Sequence, residues 1–132
     1  MKTIQVVIAL CIVISFSTPA NAFDEWSKQD IALESTWIAL NFIDWGQTRW
    51  AAKHDWIWDG KMHKERNPLY FEKHPSASKV DVYFAVGTLL HIGITHVLPS
   101  KYRPYWQGIS IMTSGYCIGT NAHFGAGLNF SF

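Results

Sequence analysis

Three residues of this chain have side chains that could do chemistry together: Asp44, His91 and Cys117. A carboxylate, an imidazole and a thiol can serve as orienting group, general base and nucleophile in covalent catalysis. No local motif surrounds any of the three. The chain also contains no CxxC, no Gly-x-Ser-x-Gly and no glycine loop of the kind that cradles phosphate. We therefore favour a non-enzymatic role, with an enzyme or metal-binding protein that uses these residues as an alternative.

A metal site would have to draw on Asp44, His91, His96 and His123. His91 and His96 are five residues apart, so on a helix they point about 140° away from each other. Helical ligand pairs are instead usually spaced i, i+4. We expect His91 to be a buried, hydrogen-bonded histidine and His96 an interfacial one, and we predict neither a metal site nor a cofactor.

Polar residues recur in steps of seven, three and four along three predicted helices. At 100° per residue, each set falls on one side of its helix, while the other sides are apolar and, on the first helix, rich in Trp. We call these sets the polar seams: Glu34, Asn41, Asp44 and Thr48; Asp81, Thr88, His91 and Thr95; and Gln107, Ser114, Cys117 and Asn121. Asp44 and His91 each hold the third position of their seam, so an antiparallel pair of helices predicts a contact between them.

The three helices are expected at about 27–52, 79–98 and 104–121, within a single helical domain, 23–132. Ser27 with Asp30, and Ser78 with Asp81, have the spacing of a capping box at a helix start. The connector, 53–78, is polar and contains a turn signal at Asp59-Gly60. The predicted fold class is mostly α, a three-helix bundle with a short extended C-terminal tail, 124–132.

The polar seams have two interpretations. They could be the solvated faces of a soluble bundle, but from Val82 to Leu98 there is no Asp, Glu, Lys or Arg, which is unusual for a surface helix. We favour a transmembrane bundle, in which apolar faces meet lipid and the seams face inward, because unpaired polar groups are costly in a membrane. Gly115 and Gly119 form a small-xxx-small pair that suggests a homo-oligomer.

The first 22 residues read as a secretory signal peptide: Lys2, an apolar run, and Ala20-Asn21-Ala22 before Phe23. An uncleaved anchor helix is the alternative. Removing this segment leaves equal numbers of acidic and basic residues, so there is no electrostatic case for a nucleic-acid partner. It also leaves one cysteine, which excludes an internal disulfide. The connector is richer in basic residues than in acidic ones, which favours a cytoplasmic location.

The C-terminal tail changes to a period of two, which is typical of a strand. Its apolar positions include Phe124, Leu128, Phe130 and Phe132. This ending resembles the C-terminal assembly signal of bacterial outer-membrane β-barrels. A second hypothesis is therefore a periplasm-facing factor whose tail engages the barrel-assembly machinery by strand addition, which excludes the three-span topology. A third is that the tail folds back onto the bundle.

Several separated runs, FIDWGQT, ERNPL, HPS and THVLP followed by YR and WQ, are similar to a group of short signal-bearing proteins from tailed phages and proteobacteria. The resemblance covers most of the chain after the signal and implies a small, phage-encoded envelope protein of a Gram-negative host. It assigns no site residues. We expect a membrane protein that contacts lipid and an envelope protein partner, with the inner membrane favoured and the outer membrane or periplasm as the alternative.

Overall fold

The structure is a computed structural model that describes residues 23–65, 72–126 and 129–132. The predicted signal peptide, 1–22, lies outside the described residues. So do Leu128 of the tail and most of the ERNPL run.

Three helices make up most of the described chain: α1 (Lys28–Lys53), α2 (Ala77–Val97) and α3 (Arg103–His123). The prediction of a mostly α fold with three principal helices is confirmed. A short hairpin of β1 (Ile57–Trp58) and β2 (Lys61–Met62) follows α1.

The capping box predicted at the start of α1 is present. The Ser27 backbone N–H donates to the Asp30 carboxylate, and the Asp30 backbone N–H donates to the Ser27 hydroxyl, at 2.9 and 3.1 Å. The one predicted at Ser78 and Asp81 is wrong, because α2 begins earlier, with Ser76 as its N-cap and no side-chain cap. Asp81 instead accepts hydrogen bonds from Trp45 and Arg49 of α1.

The connector turns at Asp59-Gly60, where the sequence indicated a turn. Both residues have positive φ, 52° and 69°. A two-residue hairpin loop of the mirror-image type I′ requires this conformation at both central positions. The two strands were not predicted, because two residues each are too few to show an alternating pattern.

Interhelical hydrogen bonds fix the helix directions. Asn41 of α1 bonds to Thr88 of α2. Trp45, which follows Asn41, bonds to Asp81, which precedes Thr88, so α1 and α2 are antiparallel. Helix α3 runs parallel to α1, because Gln107 bonds to Asp30 and the later Asn121 bonds to the later Asp44. Helix α1 is central: it packs most extensively against α3, then against α2, while α2 and α3 touch each other little.

A cluster of buried apolar residues lies at the end of the bundle nearest the hairpin. Ala51, Ala52, Trp56, Val80 and Phe84 form it, with several partly buried aromatic rings around them. Further along the bundle, the interior between the helices is largely polar.

The end of the tail lies against α1. The Ser131 backbone N–H donates to the Gly46 carbonyl at 3.2 Å, and the Phe132 ring stacks on Phe42. A Cβ at Gly46 would come within 2.9 Å of the Phe132 ring, so a glycine allows this approach. The described tail residues form no strand, and their placement matches the alternative in which the tail folds back onto the bundle.

Candidate functional site: a buried polar core

The structure turns all three polar seams inward. Of the twelve seam residues, none is exposed. Those that are buried are Glu34, Asp44, Thr48, His91, Thr95, Gln107 and Ser114; those that are half-buried are Asn41, Asp81, Thr88, Cys117 and Asn121. The polar groups therefore line the contacts between helices rather than the outer surface.

Glu34 is the centre of the larger polar group, to which all three helices contribute. One carboxylate oxygen lies 3.1 Å from the Nδ1 atom of His91 on α2. The other accepts a hydrogen bond from the Gln107 amide of α3 at 2.9 Å and a longer one, 3.4 Å, from the Thr95 hydroxyl. Because these partners come from α2 and α3, Glu34 joins both helices to α1.

Two aromatic rings stack against the His91 imidazole. The Trp37 indole stacks on it with ring centroids 3.5 Å apart and planes 16° from parallel. The Trp106 indole of α3 also stacks on it, with ring centroids 5.0 Å apart and planes 25° from parallel. The Nε2 atom of His91 is buried and has no hydrogen-bond partner among the described residues. His91 is thus held in a specific orientation by two rings and one carboxylate.

Arg103 is fully buried and ties three chain segments together. Its Nε atom donates to the carbonyls of Thr95 and Leu98 at the end of α2, both at 3.0 Å. Its other nitrogens donate to the carbonyls of Glu25 and Asp24, in the segment that leads into α1. The last carbonyls of a helix lack partners within it, so Arg103 serves as a side-chain cap for α2.

An ion pair connects Arg103 to α1, because its Nη1 atom lies 3.6 Å from the Asp30 carboxylate. The lead-in segment is also held by Asp24, whose carboxylate accepts a hydrogen bond from the Ser100 backbone N–H at 3.1 Å. That hydrogen bond lowers the pKa of Asp24 from its ordinary value. We call Asp30, Glu34, His91, Thr95, Arg103 and Gln107 the Glu34 cluster.

A second polar group lies further along α1. The Asp44 carboxylate accepts hydrogen bonds from the Asn121 amide of α3 at 2.9 Å and from the Thr48 hydroxyl at 3.5 Å. The predicted contact between Asp44 and His91 is wrong. His91 pairs with Glu34, which lies ten residues before Asp44 on α1, a distance of about 15 Å along the helix. The Asn41–Thr88 bond sets the register, and that register brings Glu34, not Asp44, to the level of His91.

The structure does not bring Asp44, His91 and Cys117 together as a catalytic group. Cys117 is a half-buried free thiol on α3, and the base and the carboxylate it would need belong to separate polar groups. No three His, Cys, Asp or Glu side chains in the described parts of the chain are grouped to hold a metal ion. His96 instead contacts Trp26, with its Nδ1 atom 3.3 Å from the indole nitrogen at the exposed end of α2.

The outer surface of the three helices is apolar. Large hydrophobic side chains point outward from each one, including Ile38 and Phe42 on α1, Leu89 on α2 and Met112 on α3; Leu89 is 72% and Met112 75% exposed. No exposed Asp, Glu, Lys or Arg lies between Lys28 and Lys53, after Lys79 on α2, or on α3. Polar residues inside and apolar residues outside invert the pattern of a water-soluble protein.

One helix among the described residues, α2, is long and apolar enough to cross a membrane by length and composition. Helices α1 and α3 contain more polar residues, but many of those are buried between helices. Gly115 and Gly119, the predicted close-approach pair, are exposed on α3 with no other atoms within 4 Å of an added Cβ.

Several buried residues were missed by the sequence reasoning. Asp30 precedes Glu34 by four residues and Arg103 precedes Gln107 by four, so extending each seam by one turn would have found both. Trp37 and Trp106 were counted only among the apolar residues outside the polar seams. Nothing in their spacing indicated that both would stack on one histidine.

No protein family, characterised protein or solved structure matches this chain.

Proposed function

We propose that this chain is a small, non-enzymatic membrane protein of the cell envelope, with three spans, that binds or modulates a partner. The observation that supports it is the inversion of polarity: polar side chains are buried between the helices and large apolar ones face outward.

Physical chemistry favours lipid over water around the helices. Soluble monomers rarely expose large contiguous apolar surface, because each square ångström of it in water costs about 25 cal/mol. Here the apolar exposure extends along all three helices. Conversely, a buried carboxylate such as Glu34 is stable only when it is paired and hydrogen-bonded, and Glu34 has His91, Gln107 and Thr95 as partners. Both features are typical of a bundle whose solvent is a bilayer.

The length of the charge-free surface fits a membrane. On α1 it extends from Ile31 to Ala52, about 32 Å at 1.5 Å per residue; on α2 it extends from Val80 to Val97, about 26 Å, and on α3 it covers Arg103–His123, about 30 Å. The hydrocarbon core of a bilayer is about 30 Å thick. The exposed charges lie beyond this band at the two ends of the bundle, for example Lys28 and Lys101 at one end and Lys53 and Lys79 at the other.

The charge asymmetry between the ends suggests an orientation. The end that carries the hairpin has more exposed lysines: Lys53, Lys61, Lys64, Lys73 and Lys79. Among its described lysines and arginines, the opposite end exposes only Lys28 and Lys101. Basic loops favour the cytoplasmic side, so we place the hairpin in the cytoplasm and the start of α1 in the periplasm.

The use of the polar groups supports a non-enzymatic role. Those with catalytic potential are engaged in holding helices together: Glu34 joins three helices, and Asp44 joins α1 to α3. The surface left for recognition is the outward face of α2 and α3, which includes Gly115 and Gly119. A second copy of the chain or another envelope protein would bind there.

Fractionation of cells that express the full chain tests this proposal, using a protease-sensitive tag inserted after Gly60 in the hairpin. We expect the protein to resist carbonate extraction and the tag to be shielded from protease added to the periplasm. The same tag placed just before Phe23 is the control, and we expect it to be cut. Extraction by carbonate, or cleavage of the hairpin tag, would contradict the proposal. Cleavage of the hairpin tag with outer-membrane fractionation would favour the barrel-assembly hypothesis and make Phe132 the residue to change.

A further inference from the structure

Four ionisable side chains share one interior region of the bundle. Asp30 and Glu34 come from α1, His91 from α2 and Arg103 from α3. Each of them is at most 6% exposed. They form two pairs, Asp30 with Arg103 at 3.6 Å and Glu34 with His91 at 3.1 Å.

The charges of these four groups balance only when one exchangeable proton is present. The Arg103 guanidinium is permanently charged and is balanced by the Asp30 carboxylate. Glu34 and His91 together are neutral as a set with one shared proton and carry one negative charge without it. An isolated charge in a low-dielectric interior is strongly unfavourable, so the pair has a physical reason to take up a single proton, which belongs to the pair rather than to either residue.

The surroundings of His91 can accommodate both states. Two indole faces, from Trp37 and Trp106, lie over the imidazole, and an indole face attracts a cation. The Nε2 atom is buried without a partner among the described residues, so no fixed hydrogen bond dictates whether this nitrogen carries a proton. The opposite nitrogen, Nδ1, is held by Glu34.

We propose that Glu34 and His91 form a reversible proton-binding site inside the bundle, with Trp37 and Trp106 stacked against the imidazole. On uptake, one N–H or O–H bond forms within the pair with a proton taken from water, and on release the proton returns to water. This inference goes beyond the proposed function, because it rests on the pairing and burial of the four groups and not on what surrounds the helices.

Proton uptake by the Glu34–His91 pair should affect how α2 and α3 pack against each other. Helices α2 and α3 touch little, and the stacking of Trp106 on His91 is one of the places where they meet. A change in the charge of the imidazole changes its attraction to the indole face. The site therefore links the protonation of His91 on α2 to the position of α3, through Trp106.

The direct test is nitrogen NMR of histidine side chains in the full-length protein in detergent micelles, titrated between about pH 4 and pH 9, the range in which histidine and carboxylate pairs titrate. We expect the His91 nitrogens to change protonation state in a single step, with the Trp106 indole N–H resonance shifting at the same pH. If both His91 nitrogens keep the same resonances across the range, the inference is wrong.

Two variants separate the site from an ordinary histidine. In Glu34→Gln, the negative charge that favours uptake is gone, so the step should move to lower pH by about one unit or more. In His96→Gln, which removes the exposed histidine beside Trp26, the His91 step should be unchanged. A His91 step in Glu34→Gln identical to that of the wild type would overturn the inference. If Glu34→Gln does not fold, the Glu34 carboxyl carbon resonance of the wild type takes its place: it should shift at the same pH as the His91 nitrogens, and a carboxyl resonance that stays constant through the His91 step would overturn the inference.

Discussion

Arg103 should be among the residues most sensitive to substitution, because removing it leaves the buried Asp30 carboxylate without a charged partner. In Arg103→Met, the apolar part of the side chain is roughly kept and the guanidinium is lost. Asp30, only 2% exposed, then loses its ion-pair partner. The carbonyls of Thr95 and Leu98 also lose the donor that caps the end of α2.

The magnitude follows from these losses. Removing one partner of a buried ion pair typically costs about 3–5 kcal/mol. This is about half of the free energy of unfolding of many small proteins. The lost hydrogen bonds to carbonyls overlap with this figure, so we expect Arg103→Met to lower the free energy of unfolding by about 4 kcal/mol. Arg103→Lys keeps the charge near Asp30 but supplies fewer donors in a different geometry, and we expect a smaller loss of about 2 kcal/mol.

The assay is reversible unfolding in mixed micelles, produced by adding a denaturing detergent and followed by helical circular dichroism. Lys101→Met, an exposed change in the same turn, should leave stability within about 0.5 kcal/mol of the wild type. Combining Arg103→Met with Asp30→Asn should recover about 2 kcal/mol relative to the sum of the single variants, because the stranded charge is removed. If Arg103→Met costs less than about 1 kcal/mol, Arg103 does not stabilise the bundle in the way we describe.

Two smaller predictions concern single contacts on α1. Asn41→Ala breaks the hydrogen bond to Thr88 and should cost about 0.5–2 kcal/mol in the same assay, whereas Ser35→Ala, on the exposed side, should cost little; equal effects would argue against an interhelical bond. Gly46→Ala should release the C-terminal phenylalanine from α1, seen as faster carboxypeptidase digestion, because an added Cβ meets that ring at 2.9 Å. Gly119→Ala, with open space around it, should leave the digestion rate unchanged.

The helices and the inward side of each could be predicted because they depend on local periodicity. Steps of seven, three and four place Glu34, Asn41, Asp44 and Thr48 on one side of a helix wherever that helix packs. The start of α1 was predicted for the same reason, since the Ser27–Asp30 box is a contact between near neighbours in the chain.

The register between helices could not be predicted in the same way. Sliding α2 by one or two turns along α1 keeps every seam facing inward, so the spacing alone does not distinguish a Glu34–His91 pair from an Asp44–His91 pair. The observed register depends on contacts between distant parts of the chain, such as Arg103 with the end of α2 and Trp45 with Asp81. The start of α2 was misplaced for a related reason, because Asp81 bonds across to α1 instead of capping its own helix.

The central claim is that the apolar outer faces contact lipid, and spin labels test it most directly. Single cysteines would replace Leu89, Met112 and, as a control in the polar connector, Lys64, each in a Cys117→Ser background reconstituted into lipid vesicles. We predict that labels at 89 and 112 are relaxed by oxygen, which concentrates in the bilayer, and little by a water-soluble nickel chelate, with the opposite result at 64. Nickel accessibility at 89 and 112 equal to that at 64 would show that water covers these faces and would contradict the account.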